Sequence, residues 1–281
     1  MIRFTRNDLG RLWKPKNNSH KGENGQVTII GGSKLFHGAP MFAVRVASRI
    51  VDMVYFSSPD PDLEKISAKA MLGAFIWVPW EEIEYYVEKS DAVLIGPGMM
   101  RYESETSSFK KKPDYQFDQD GTLTRSVTKY FLQKFSEKQW VIDGGSLQVI
   151  EKEWIPQRAI LTTNEKEFEL LFGSPFSLSD FQLTAKRQNC VIVFKGEITY
   201  VTDGEEIYEV AGGNAGLTKG GTGDVQAGLT VSFMAKNPPL LAAAAAAFVV
   251  KMTADKLYEK AGFNYNADDV SENVCVFMKE E

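Results

Sequence analysis

The chain is poor in cysteine: Cys190 and Cys275 are the only two in 281 residues, and each lies inside an apolar stretch. Two widely separated thiols provide neither a disulfide framework nor a cysteine zinc site, and they fit a reducing compartment. Positive charge is not in excess either. With 32 Lys and Arg against 37 Asp and Glu the net charge is −5, so no basic field exists to hold nucleic acid or an anionic membrane. Residues 1–10 lack the apolar core of a signal peptide. The longest uncharged apolar run, 240–250, falls well short of the roughly 20 residues that span a bilayer. These absences point to a soluble, acidic, cytoplasmic protein with no nucleic-acid or membrane partner.

What is present is a core and a set of glycine clusters. Hydrophobic residues make up 43% of the chain and aromatics 12%, which excludes global disorder. The 23 glycines gather in short groups, as they do where backbone turns tightly or approaches a ligand. A stretch that is polar up to Gly25 reads as an arm or edge. Short continuous apolar strands are expected at 26–30, 53–56, 92–95, 140–142, 159–161 and 190–194, with a helix over 39–52 and helical segments between most of the others. Such strands, alternating with helices, predict an α/β fold with a mostly parallel sheet buried on both faces. Ligands then bind beyond the carboxyl ends of the strands. Gly31-Gly32-Ser33, Gly96-Pro97-Gly98, Asp143-Gly144-Gly145, Thr162-Thr163-Asn164 and Lys195-Gly196 all fall there. No internal repeat or low-complexity linker divides the chain, so residues 1–281 read as one domain. The charged stretch 101–120 reads as a surface excursion after a strand.

The strongest chemical signal is Lys219-Gly220-Gly221-Thr222-Gly223-Asp224 opening a helix. Glycines allow several N–H groups to converge, and the helix adds its positive end, so the loop forms an anion hole. Asp224, in the first turn, is placed to take a proton from an attacking hydroxyl, as phosphoryl transfer to an alcohol requires. The plain alternative is a glycine loop with a capping acid. No Walker P-loop and no complete Gly-x-Gly-x-x-Gly is present. Taken alone, Lys195-Gly196 reads as a β-hairpin turn with a solvated lysine, His20 as a surface residue and Gly38-Ala39-Pro40 as helix initiation. Asp143, Glu165 and Glu167 are candidates to meet Mg²⁺, or are helix N-terminal acids. The alanine run 242–247 reads as a helix packed closely on its neighbours.

In combination and in this order, His20-Lys21-Gly22, Gly31-Gly32-Ser33, Gly38-Ala39-Pro40, Gly96-Pro97-Gly98, Asp143, Lys195-Gly196, Gly220-Gly221-Thr222-Gly223-Asp224-Val225 and Ala267-Asp268-Asp269-Val270 resemble the NAD(P)H-hydrate dehydratase family of the ribokinase-like superfamily. The resemblance runs from about residue 20 to about residue 270 and leaves no room for the family's companion epimerase domain. It implies a three-layer α/β/α sandwich and an ADP- or ATP-dependent repair reaction, with Mg²⁺, that returns the S-form hydrate of NADH or NADPH to the reduced cofactor. The hydrate's hydroxyl is phosphorylated and phosphate leaves. By the same resemblance, Lys195, Gly196, Glu197, Ile198, Thr199 and Gly223 contact the adenine nucleotide. Ala39, Gly98, Asn164 and Asp224 contact the hydrated cofactor, and Gly221, Thr222, Gly223 and Asp224 carry the catalysis. No protein metal ligand is implied, and a homo-oligomer is allowed.

Two departures from the family pattern touch the acceptor side. Asn164 stands where a histidine is usual, and an amide cannot carry a proton near neutral pH. Gly145 stands where a second carboxylate is usual. These departures keep a ribokinase-like small-molecule kinase, which stops at the phosphorylated alcohol, as the alternative.

Overall fold

The computed structural model describes residues 1–69, 73–101 and 119–279. Most of the charged stretch expected as a surface excursion lies outside the described residues, and Gln119 and Asp120 already belong to a helix. In chain order the strands are β1 (Ile2–Arg3), β2 (Gln26–Ile30), β3 (Met53–Ser57), β4 (Ile76–Trp77), β5 (Ala92–Ile95), β6 (Gln139–Ile142), β7 (Ile160–Thr163), β8 (Val191–Phe194), β9 (Thr199–Thr202) and β10 (Ile207–Val210). The helices are α1 (Gly38–Ala47), α2 (Asp62–Lys69), α3 (Ile83–Lys89), α4 (Gln119–Lys134), α5 (Gly144–Leu147), α6 (Glu165–Phe172), α7 (Leu178–Gln188), α8 (Thr222–Met234), α9 (Pro239–Ala261) and α10 (Ala267–Lys279).

The strands form one sheet in the order β1-β10-β9-β8-β7-β6-β5-β2-β3-β4. Pairing is parallel from β4 through to β8, and antiparallel where β8, β9 and β10 follow one another. All six strands expected from the apolar runs are present. β1 adds to β10 at the edge, in keeping with an edge role for the opening stretch. The helix expected over 39–52 stops at Ala47. Tighter bonds from Arg49 N to Val46 O and Ile50 N to Ala47 O unwind its end. The Asp52 carboxylate then accepts from the backbone N–H groups of Gly22 and Asn24.

The uninterrupted apolar strands serve two cores. Val27, Ile29, Leu94, Val141, Ile160 and Val193 point into one, with α1, α8, α9 and α10. Ile30, Val93, Ile95, Ile142, Leu161 and Ile192 point into the other, with α3, α4, α6 and α7. Successive side chains alternate between the faces, so a strand with both faces covered must be apolar throughout. The result is a three-layer α/β/α sandwich with a mostly parallel sheet. Among the described residues no helix is long and apolar enough to cross a membrane.

Two helices place the site. α9 buries all six alanines of 242–247, and their small side chains let α8 lie close. α8 is buried on every side from Val225 to Met234, as expected for a helix without an amphipathic pattern. Its Thr230 and Ser232 hydroxyls bond back to the carbonyls of Gln226 and Gly228, which satisfies polar groups that the core would otherwise strand. Only its first turn, at Gly223 and Asp224, retains exposure.

Candidate active site

The carboxyl ends of the central strands carry the chemistry-bearing residues. At β6, Asp143 is the N-cap of α5 and 3% exposed. Its Oδ1 accepts from Lys195 Nζ at 3.2 Å, at the end of β8, and from the Thr162 hydroxyl at the end of β7. Lys195 is therefore not the solvated hairpin lysine that its residue type alone suggested. The hairpin itself is present, with β8 and β9 antiparallel, but its lysine turns back over the sheet edge. Strand pairing sets this geometry, since Lys195 N bonds Thr163 O at 2.7 Å.

Glu167 joins the same group. Asn164 caps α6 through a reciprocal box: its Oδ1 accepts from Glu167 N at 3.0 Å, and its own N–H donates to Glu167 Oε2 at 2.9 Å. The cap draws the Glu167 side chain inward to 7% exposure, where Gln148 Nε2 donates to it at 3.4 Å. Burial raises the Glu167 pKa, Lys195 opposes that rise and Asp143 adds to it. Burial pulls the Lys195 ammonium down, yet Asp143 and Glu167 together hold its pKa above the ordinary lysine value.

Asp224 approaches from above, in the first turn of α8. Gly221 is the N-cap with φ +93°, and a Cβ there would stand 2.5 Å from the Phe42 ring and 2.8 Å from Ala267 Cβ. Only glycine takes that conformation in that space. The loop thus turns sharply and leaves the first N–H groups of α8 without helical partners. A Cβ on Gly223 would lie 3.6 Å from Lys195 Nζ, so the lysine charge and the helix dipole act on one spot. The Thr222 hydroxyl donates to Leu217 O at 2.7 Å and Lys219 O at 3.0 Å, so it closes the loop and Thr222 can offer the site its N–H alone. The Asp224 pKa is pushed up to about 7, by burial first and by the Asp143 charge second, against the pull of Lys195. A carboxylate that titrates near 7 is suited to proton transfer at neutral pH.

The remaining expected residues form two further groups. Gly196, Glu197 and Ile198 make the exposed β8–β9 turn, while Thr199 is buried at the start of β9. Ala39 and Gly98 meet one another: a Cβ on Gly98 (φ +69°) would lie 3.1 Å from Ala39 Cβ and 2.2 Å from Phe36 O. The Gly96-Pro97-Gly98 turn joins this pair to the rest, since Gly32 N bonds Pro97 O at 2.7 Å and Gly145 N bonds Gly96 O at 3.1 Å. His20 is exposed and bonds only within its own loop, to Glu23. Gln148 and Lys251 are not anticipated from the sequence, and Thr162 is expected only as part of a strand-end cluster. For Lys251 a signal existed, as it is the first charge after the apolar run 240–250.

The Gly145 departure has a packing cause. A Cβ there would stand 2.0 Å from Met99 O, so no second carboxylate fits without moving the 96–100 turn. For Asn164, the capping bond uses the side-chain oxygen, so the amide nitrogen takes no part in the cap.

The donors do not make a metal cage. Among the described residues no three His, Cys, Asp or Glu side chains converge on one point, and Asp143 and Glu167 are already engaged by Lys195, Thr162, Asn164 and Gln148.

Residues 27–275 match the sequence model of the NAD(P)H-hydrate dehydratase family, and the chain belongs to that family. It is 31% identical over 280 residues to the bifunctional NAD(P)H-hydrate repair enzyme Nnr of Methanocaldococcus jannaschii, an alignment covering 97% of this chain and 52% of that protein. The chain therefore spans about half the length of this relative. Its fold matches a ribokinase-like superfamily protein from Enterococcus faecalis with a TM-score of 0.83 at 21% identity, covering 99% of this chain and 95% of the other. It also matches an ADP/ATP-dependent NAD(P)H-hydrate dehydratase from Bacillus subtilis, co-crystallised with ATP/Mg²⁺, with a TM-score of 0.78 at 18% identity over 99% and 98% of the two chains. The fold is ribokinase-like.

Proposed function

We propose that this chain uses ADP or ATP to dehydrate the S-form hydrate of NADH or NADPH and so regenerates the reduced cofactor. The observation that carries the reading is Asp224, a carboxylate titrating near 7, at the open N-terminus of α8 beside the Lys195 ammonium. Family membership supports it, and the Bacillus subtilis neighbour carries the same activity in its name.

In this reading the terminal phosphoryl group of the nucleotide lies against the N–H groups of Gly221, Thr222 and Gly223, with Lys195 neutralising charge that grows in the transition state. The turn Gly196, Glu197 and Ile198, with Thr199, holds the rest of the nucleotide. The hydrate lies toward Ala39, Gly98 and Asn164. Ionised Asp224 takes the proton of the hydrate's hydroxyl as its oxygen attacks phosphorus. The bond to the leaving nucleotide breaks and releases AMP from ADP, or ADP from ATP. The new C–O–P ester then loses phosphate with its electron pair, the neighbouring ring carbon gives up a proton, and the dihydronicotinamide is restored. Mg²⁺ would neutralise phosphate charge when present. These side chains suit a metal carried in on the phosphates rather than one held by the protein, and no step is routed through it. The reading treats the chain as one catalytic domain, consistent with a single sheet and cores shared along its length. It includes a cytoplasmic setting and allows a homo-oligomer.

The test is incubation with Mg²⁺, the S-form hydrate, and ADP or ATP, following the absorbance of reduced nicotinamide. Absorbance recovers with at least one nucleotide. No recovery with either, or a stable phosphorylated alcohol in its place, overturns the reading, and the second outcome establishes the kinase alternative that Asn164 and Gly145 motivate.

A further inference from the structure

α9 is apolar through Val250 and then buries a lysine. Lys251 is 6% exposed, and a charge so placed needs acceptors. It has three, all main-chain carbonyls: Nζ donates to Gly196 O at 3.1 Å, Glu197 O at 2.6 Å and Gly212 O at 2.9 Å. That uses the full donor capacity of an ammonium group. The stem packs on the same loop, since a Cβ on Gly213 would stand 3.0 Å from Lys251 Cγ. Burial holds the lysine pKa below its ordinary value, with Asp255 and Glu197 opposing. One helical turn on, the Asp255 carboxylate accepts from Gly213 N at 2.9 Å and Asn214 Nδ2 at 3.3 Å. Asn214 Oδ1 accepts from Gly216 N at 3.0 Å and the Tyr265 hydroxyl at 2.6 Å. Lys219 Nζ donates to the carbonyls of Tyr265 and Phe263. Three hydrogen-bonded groups, joined through the 212–213 peptide, α9 and Tyr265, thus connect the β8–β9 turn to the loop that opens α8.

We propose that Lys251 is a positioning residue that clamps the 196–197 turn to the 212–214 loop and so fixes the spacing between bound nucleotide and the first turn of α8. The proposal rests on the nucleotide reading of that turn. An apolar side chain of similar length fills the space without the desolvation cost, but it leaves three carbonyls unpaired and two loops independent.

The test uses the full chain with Lys251→Met and Lys251→Arg. Calorimetry gives ADP and ATP affinity, steady-state kinetics with the hydrate gives nucleotide KM and kcat, and hydrogen–deuterium exchange follows peptides covering 195–199 and 212–220. Lys251→Met raises nucleotide Kd and KM about tenfold, the scale of lost hydrogen bonds to a charged donor, and lowers kcat at saturating nucleotide by a smaller factor as the phosphoryl group loses its fixed distance from the first turn of α8. Exchange rises in both segments together, and Lys251→Arg restores part of the affinity. A lowered melting temperature with unchanged nucleotide Kd, or faster exchange in one segment alone, overturns the clamp. If Lys251→Met does not fold, Asp255→Asn takes its place and shows the same split at smaller size; unchanged affinity there also overturns it. Wild-type protein that binds neither nucleotide overturns the functional reading instead, and the exchange measurement still decides the clamp.

Discussion

The two halves of the sheet's carboxyl edge are built in different ways. Over β6, β7 and β8 the site is made of side chains: Asp143 bonds to Thr162 and Lys195, and Glu167 and Asp224 join them electrostatically. Over β2, β3 and β5 it is made of backbone. Gly31, Gly96 and Gly98 each lie so close to a carbonyl that no side chain fits, and the neighbouring Leu35 and Phe36 are exposed. The first half fixes charge and the second fixes shape. Under the proposed function the charged half serves phosphoryl transfer, which is the same for any alcohol, and the shaped half distinguishes one alcohol from another. The two departures from the family pattern fall in different halves: Gly145 packs against the β5 turn, and Asn164 caps α6 and bonds to Glu167.

The largest test of this division is Asp224→Asn. It lowers kcat by about 10³-fold, the scale of a lost general base, while calorimetry finds nucleotide affinity within a few-fold of wild type. The pH profile follows the same group. Asp224 must be ionised to act, so kcat falls about tenfold per unit as pH drops below about 7. Stability moves the other way: a carboxyl whose folded pKa is raised stabilises the native state below its unfolded value and loses that contribution as pH rises through about 7. Above that pH, Asp224→Asn therefore melts at a higher temperature than wild type although it is nearly inactive.

Lys195→Met leaves Asp143 and Glu167 buried without their cation. Denaturant unfolding records a loss of about 3 kcal/mol, the lower end for breaking a buried pair, together with weaker nucleotide binding. On the backbone side, Gly145→Asp supplies the carboxylate usual in the family, but it collides with Met99 O. Overpacking of this kind costs about 2 kcal/mol, and turnover falls rather than rises. A more active Gly145→Asp protein would show that the missing charge, not the packing, limits the acceptor side. The smallest effect belongs to Asn164→Ala, which loses the α6 cap and about 1 kcal/mol. A loss of kcat comparable to that of Asp224→Asn would instead place Asn164 in the chemistry.

The same contrast separates what the sequence makes legible from what only the fold reveals. The central strands are legible because their runs are apolar, broken inside β2 only by the buried Thr28, and the loop that opens α8 is legible because clustered glycines followed by an acid mark a helix start. Residue type alone misplaces Lys195, since only strand order brings β6 and β8 to either side of β7 and puts Asp143 within its reach. Gly145 looked like a missing carboxylate, and the Met99 carbonyl that explains it lies on another strand's turn. Glu167 stands in the first turn of α6, as one of its two sequence readings expects; its burial beside Lys195 depends on tertiary contact that spacing does not encode.

The alternation of β2, β5, β6, β7 and β8 between two cores has an effect far from either core. A strand displaced by one residue against its neighbour would exchange its two sets of side chains between layers that are already filled, and would carry its terminal residue some 3.3 Å along the edge. Greasy residues in the middle of the molecule therefore act as an alignment gauge for the polar ones at its rim. Asp143, Thr162 and Lys195 meet within hydrogen-bonding distance because Val141, Ile160 and Val193 have each been sorted to the same side.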